Sequence, residues 1–113
     1  MANFITKGGM ERSTIIGYPD VSASTIAILL NKNFYYPRSG SFSTYVIWNN
    51  KRVAEVNDDS VINTFLQYQR EVDEVLLITS KPVNDSFLRR SKIKLLKSFT
   101  PAIEETEEFH LYK

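Results

Sequence analysis

The chain has 113 residues, of which 42% are hydrophobic and 24% are charged, and this composition indicates one folded domain and excludes a wholly disordered chain. The absence of cysteine excludes disulfides, iron–sulfur clusters and zinc sites with thiolate ligands. The net charge of +1 provides no overall field that would attract nucleic acid or an anionic membrane. Because no apolar run approaches the roughly 20 residues of a membrane span, and residues 1–12 lack the apolar centre of a signal peptide, we expect a cytoplasmic protein.

The N-terminal part is predicted to hold an arm and a first strand. Residues 1–12 show little periodicity, which indicates a flexible arm in front of a single globular domain of residues 13–113. Ser13 to Tyr18 is short and β-rich, and we expect it to be a first strand or an edge strand at which a homodimer would pair. Pro19 and Asp20 are expected to end it, because proline breaks the ladder and aspartate favours turns.

A buried helix follows. Ser22 or Ser24 is a candidate N-cap, and Asn33 is suited to close the helix in the left-handed conformation. The face between them carries apolar residues at helical spacing, namely Ala23, Ile26, Ala27 and Leu30.

Ser43 to Val56 is predicted to form a β-hairpin. A turn at residues 50–51 places Trp48 opposite Val53, whereas a turn one residue earlier places Trp48 opposite a lysine. Apolar cross-strand pairs favour the first register. In both registers Glu55 points to the face opposite its two apolar neighbours.

The best-specified elements are the helix and strand after this hairpin. Asp58 and Asp59 are candidate N-caps of a helix with a wide apolar face. The continuous apolar run Val75 to Ile78 is typical of a strand covered on both faces. A helix between two strands favours a crossover connection, so we expect this strand to be parallel to its neighbour.

The last third is predicted as a short helix over residues 85–91, a strand around residues 93–96 and an edge strand over residues 109–111. His110 has neither a cysteine nor a second histidine to form a metal site with, and we interpret it as a surface residue of that edge strand. The predicted fold class is therefore α/β or α+β, with a single-layer mixed sheet flanked by helices.

This order of elements resembles the restriction-endonuclease-like family, which includes PD-(D/E)XK nucleases and archaeal Holliday-junction resolvases. The resemblance spans Ser22 to Leu96 and rests on the stretches VSASTIAILLNKNFYY, SFSTYVIWNNKRVAEVN and VDEVLLITSKPVNDSFLRRSKIKLL. It implies a restriction-endonuclease-like core. It also implies a site at which an aspartate and a glutamate converge on Mg²⁺ and a lysine lies near the attacking water.

Two of the three positions that the resemblance implies are not occupied by the expected residues. Glu55 stands at the position of the family's glutamate, but Asn57 replaces its lysine, and Ser41 to Thr44 provide no aspartate. Pro19 and Asp20 spell the first half of the motif but precede the first helix of this alignment. The weak catalytic candidates are therefore Glu55, Asp58 and Asp59, and the resemblance implies a degenerate site.

One basic cluster is a candidate nucleic-acid contact surface, because lysine and arginine bind phosphates. Its members are Arg89, Arg90, Lys92, Lys94 and Lys97. The acidic run Glu104 to Glu108 nearly balances this charge, which favours the alternative of an ordinary solvated face.

We expect a small non-catalytic protein that binds nucleic acid or a nucleic-acid-processing partner through a degenerate nuclease-like core, without a cofactor. The first alternative is a virus- or plasmid-encoded module that inhibits a partner protein. The second is a metal-dependent nuclease, which alone would require Mg²⁺.

Overall fold

The computed structural model describes residues 1–10, 12–46, 48, 52–53, 56–72, 74–83, 88–89, 93–99 and 108–113. The helices that these residues form are α1 (Ala2–Lys7), α2 (Asp20–Leu30) and α3 (Asp58–Glu71). The strands are β1 (Thr14–Tyr18), β2 (Phe34–Tyr36), β3 (Ser41–Ser43), β4 (Val75–Thr79), β5 (Leu95–Phe99) and β6 (Phe109–Tyr112).

The strands form one mixed sheet in the order β3-β2-β1-β4-β6-β5. β1 is parallel to β2 on one side and to β4 on the other, with Thr14 opposite Val75 and Tyr18 opposite Thr79. The β2–β3, β4–β6 and β5–β6 pairs are antiparallel. The predicted mixed α/β class is confirmed. β4 is parallel to β1, but β3, the strand that precedes α3, runs opposite to β4 because it is antiparallel to β2, so α3 does not join two parallel strands as the sequence predicted.

Helices cover both faces of the sheet and create two apolar cores. Ile15 and Leu76 lie in the core under α1 and α2, whereas Ile16 and Leu77 lie in the core under α3. This division follows from the alternation of side chains along a strand. All five residues of β4 are buried, which explains why its sequence is apolar without alternation.

The flexible arm predicted for residues 1–12 is wrong for the segment that forms α1. Ile5 is completely buried, and Met1 joins it in the core under α2. The Phe4 ring packs edge-on against that of Phe99, with the ring centroids 6.2 Å apart. A helix as short as α1 shows little periodicity in its sequence. Its few apolar side chains are nevertheless enough to pack it against the core.

β1 is the first strand of the chain, which is one of the two predicted alternatives, but it is internal and not an edge strand; β6, predicted as an edge strand, is internal as well. β1 has partners on both sides, and β6 lies between β4 and β5. Among the described strands the edges are β3 and β5, and a dimer pairing through β1 is excluded by its two existing neighbours. A five-residue apolar strand does not reveal from its sequence whether it has one neighbour or two.

α2 begins and ends earlier in the sequence than predicted. Its first residue is Asp20, which follows Pro19 at the N-cap position, and neither serine candidate caps it. The left-handed residue that closes it is Asn31, with φ 50° and ψ 52°, two positions before the predicted Asn33.

α3 is capped by Asn57 and not by the two aspartates proposed from the sequence. The Asn57 side-chain oxygen accepts a hydrogen bond of 2.8 Å from the backbone N–H of Ser60. The helical spacing predicts one apolar face that includes Val61, Ile62, Phe65 and Val72. The first three residues are buried, whereas Val72 follows the end of the helix and is exposed.

The predicted hairpin is wrong for the described residues of the segment that follows β3. Residues 44–46, 48, 52, 53 and 56 lie outside strands, and residues 47, 49–51, 54 and 55 lie outside the described part of the chain. Val53 does not pair with Trp48 but donates its backbone N–H to the carbonyl of Arg38 at 2.8 Å. Of the short helix predicted at residues 85–91, the structure describes only Leu88 and Arg89, which are helical.

Candidate functional site

A crevice lies at the carboxyl ends of the neighbouring parallel strands β1 and β4, where the connections to the adjacent strands lie on opposite faces of the sheet. β1 leads through α2, on one face of the sheet, to β2, whereas β4 on the other side of β1 is reached through α3, on the opposite face. In open α/β sheets such a switch point, beyond the carboxyl ends of the strands, is where ligands bind. The crevice here has a volume of about 530 Å³.

Arg38, which follows β2, and three further parts of the chain form the walls of this switch-point crevice. Tyr18 and Pro19 follow β1, residues 79–83 end and follow β4, and residues 56–62 lead into the first turns of α3. The apolar part of the lining consists of Pro19, Val56, Val61, Ile62, Pro82 and Val83. The remaining lining residues are Tyr18, Arg38, Asn57, Thr79, Ser80 and Lys81.

A fully buried carboxylate lies beside the crevice. Asp20 accepts two hydrogen bonds from Arg52, to Oδ2 from Nε at 2.8 Å and to Oδ1 from Nη2 at 3.0 Å. Arg38 Nη1 donates to Oδ1 at 3.2 Å, and the backbone N–H of Val21 donates to the same oxygen at 2.9 Å. Burial alone would raise the pKa of Asp20, but the hydrogen bond from Arg52 and the charges of both arginines outweigh it and lower that pKa.

The Asp20 cluster, consisting of Asp20, Arg38 and Arg52, fixes one wall of the crevice. Arg52 brings its segment to Asp20, and the next residue, Val53, accepts a hydrogen bond of 3.1 Å from Arg38 Nε through its backbone carbonyl. Three residues on, the backbone N–H of Val56 donates to the Tyr18 hydroxyl at 3.1 Å. Arg52, Val53 and Val56 are thereby bonded to residues at or just beyond the ends of β1 and β2.

Tyr36 contributes to the same region from the end of β2. Burial and then the charge of Asp20 raise the pKa of Tyr36 to about 12, because both disfavour the phenolate. The neutral hydroxyl donates to the carbonyl of Thr44 at 3.2 Å, which holds the chain where it leaves β3.

The charged lining residues that the structure describes are both cations. Arg38 uses Nε and Nη1 for Val53 and Asp20, and a guanidinium has five N–H donors, so three remain for other partners among the described contacts. Lys81 is exposed at the mouth. Asp59, on the first turn of α3, is exposed and does not line the crevice.

The structure describes the predicted carboxylates only in part, so their role in a metal site stays a prediction. Asp59 is exposed, Asp58 opens α3, and Glu55 lies outside the described residues. The described residues contain no group of three acidic or histidine side chains that would hold a metal ion. Asp20 does not fit a Mg²⁺ ligand either, because arginine donors already occupy both of its oxygens.

The basic cluster is described in part. Arg89, Lys94 and Lys97 are exposed, whereas Arg90 and Lys92 lie outside the described residues. The acidic run expected to balance them also lies outside, except for Glu108. Nucleic-acid binding by this cluster therefore stays a prediction.

His110 is not the surface residue that the sequence predicted. It is buried on β6, with Nδ1 2.8 Å from Ser98 Oγ and Nε2 2.8 Å from Glu108 Oε2. Ser98 lies on β5 and Glu108 directly precedes β6, so both ring nitrogens have partners in the C-terminal part of the chain, and the crevice lining does not include this residue.

Sequence reasoning did not find the Asp20 cluster. The available signal was an aspartate directly after an apolar strand, which we interpreted as a turn residue. Arg52 lies 32 residues further along and was assigned to a hairpin, so nothing local indicated that these charges meet.

The chain matches no family model, no curated protein and no solved structure. Among the helices of the described residues, none combines the length and the apolar character that crossing a membrane requires.

Proposed function

We propose that this domain binds a small organic anion in the switch-point crevice. The observation that carries the proposal is the lining of the crevice, which combines an apolar wall with Arg38 and Lys81. The volume of about 530 Å³ lies within the range of roughly 300–1,000 Å³ that is usual for small-molecule sites.

The two halves of the lining have different roles in this proposal. The apolar wall formed by Val61, Ile62 and Val83 contributes affinity by removing the body of the ligand from water. Arg38 orients the charged end, and its position is fixed before binding by Asp20 and Val53. A preorganised cation loses little side-chain entropy when the ligand arrives, which favours affinity.

Binding is tested by thermal unfolding and by calorimetry with a panel of mononucleotides, sugar phosphates and aromatic carboxylates. We expect saturable binding of at least one class and a weakening of about tenfold or more in Arg38→Gln, since hydrogen bonds to charged groups contribute about 1.5–3 kcal/mol. Arg70→Gln is the matched control, because Arg70 is exposed in the last turn of α3, about 20 Å along the helix from Asn57. Absence of saturable binding across the panel would reject the proposal.

Nucleic-acid binding is a second candidate, supported by the exposure of Arg89, Lys94 and Lys97. If it holds, retardation of duplex or branched DNA in a gel will weaken steeply with salt, and Lys94→Gln with Lys97→Gln will reduce it. No retardation at low salt would remove this candidate. Inhibition of a partner protein and formation of a homodimer stay predictions of the sequence.

A further inference from the structure

We infer that the anion is a phosphate monoester, whose phosphate lies between Arg38 and Lys81 and whose body lies against the apolar wall. This inference rests on the proposed function and specifies its ligand class. It follows from the charge of the crevice, the number of its donors and the separation of its polar and apolar halves.

The charge of the described lining matches a dianion better than a monoanion. Arg38 and Lys81 line the crevice, and no aspartate, glutamate or histidine is among the described lining residues. Asp20 neutralises Arg38 only in part, because the same carboxylate is also bonded by Arg52 through two hydrogen bonds. A phosphate monoester carries about −1.5 to −2 at neutral pH, whereas a carboxylate carries −1.

The crevice also offers more hydrogen-bond donors than the two oxygens of a carboxylate need. Arg38 has three N–H groups beyond those used for Asp20 and Val53, and Lys81 adds an ammonium group. The Tyr18 hydroxyl accepts from Val56, so its own proton is available to a ligand, and the Asn57 amide can donate while its oxygen caps α3. Three phosphate oxygens accept from such a set more completely than two carboxylate oxygens.

The rest of the ligand is an apolar or planar group. Val61, Ile62 and Val83 belong to the core under α3, so their crevice-facing surface continues that core. Val56 and Pro82 extend it towards the mouth. A ligand that is polar throughout would leave this wall without a partner.

The test compares phenyl phosphate with benzoate, which share an aromatic ring and differ in the anion. Calorimetry on the whole chain is expected to show phenyl phosphate binding about tenfold or more tightly at pH 7.5. Because the second phosphate proton leaves near pH 6, its advantage is expected to shrink at pH 5, while benzoate binding changes little. Equal affinity of the two compounds at pH 7.5 would overturn the phosphate assignment and leave anion binding intact.

Variants at the exposed cation avoid the risk of unfolding the protein. Lys81→Gln is expected to remove most of the preference for phenyl phosphate over benzoate, and Lys7→Gln, at an exposed lysine in the last turn of α1, is the control. An unchanged preference in Lys81→Gln would overturn the placement of the phosphate. If neither compound nor any member of the anion panel binds, the proposed function fails and this inference fails with it.

Discussion

Asp20 carries a negative charge that is buried away from water. The positive charges of two arginines compensate for the cost of this burial. Its side chain is completely buried, whereas those of Arg52 and Arg38 keep 9% and 14% of their exposure. Burying an ion is costly, but removing one partner of an existing buried pair costs more than the pair itself contributes. The cluster is therefore better described as fixing the position of Arg38 and of the segment after residue 52 than as a source of net stability.

Replacing Asp20 by asparagine is expected to lower the free energy of unfolding by about 3 kcal/mol, because two largely buried guanidinium groups lose their interaction with this carboxylate charge. Urea denaturation measures this change. Asp59→Asn serves as control, since Asp59 is an exposed acid on the first turn of α3. A loss in Asp20→Asn no larger than in the control would contradict the assigned role.

The same carboxylate predicts how stability depends on pH. Its pKa is lowered from the ordinary value of 3.8, so its contribution is complete above that value and is lost as the pH falls through the folded-state pKa. Stability of the wild type is therefore expected to fall below about pH 4 more steeply than that of Asp20→Asn. Parallel pH profiles of the two proteins would show that another group is responsible.

The helices and strands whose residues show a strong hydrophobic pattern could be predicted from the sequence. The apolar run of β4 and the helical spacing of Val61, Ile62 and Phe65 each report burial on their own. The segment from Ser43 to Val56 could not be predicted this way, because Arg52 and Val53 are placed by Asp20 and Arg38. The alternating apolar residues of this segment are typical of a hairpin. Trp48, however, is exposed, and the centroid of its ring lies 4.0 Å from the Arg52 guanidinium carbon.

The packing of α2 on β1 depends on a glycine that the sequence did not single out. A Cβ on Gly17 would lie 2.6 Å from the Cβ of Ala23 and 3.3 Å from the ring of Phe34. Gly17→Ala is therefore expected to destabilise the protein by about 1–3 kcal/mol through overpacking. Chemical denaturation of Gly17→Ala, Ala23→Gly and the double variant tests the contact, and we expect the double variant to be more stable than the sum of the single losses. Strict additivity would contradict the close approach.

At the scale of the molecule, the sheet explains why the crevice lies where it does. β1 and β4 are neighbours, and their helices lie on opposite faces, so neither α2 nor α3 covers the space beyond their carboxyl ends. The Asp20 cluster adjoins that space and contributes Arg38 to the lining of the crevice. The position of the crevice can be derived once the order of the strands is known. The order of the strands depends on which strands pair, and the sequence of a short apolar strand does not indicate its pairing partners.

The order of strands also predicts a gradient of local stability across the molecule. β1 and β4 are hydrogen-bonded on both sides and lie between the two cores, whereas β3 and β5 have one neighbour each and contain mostly exposed or half-buried residues. Amide exchange from the centre requires near-global unfolding, while exchange at the edges needs only local opening. Hydrogen exchange followed by mass spectrometry should therefore show peptides from Thr14–Tyr18 and Val75–Thr79 exchanging at least about a hundredfold more slowly than those from Ser41–Ser43 and Leu95–Phe99. Equal protection of the edges and the centre would contradict this strand order.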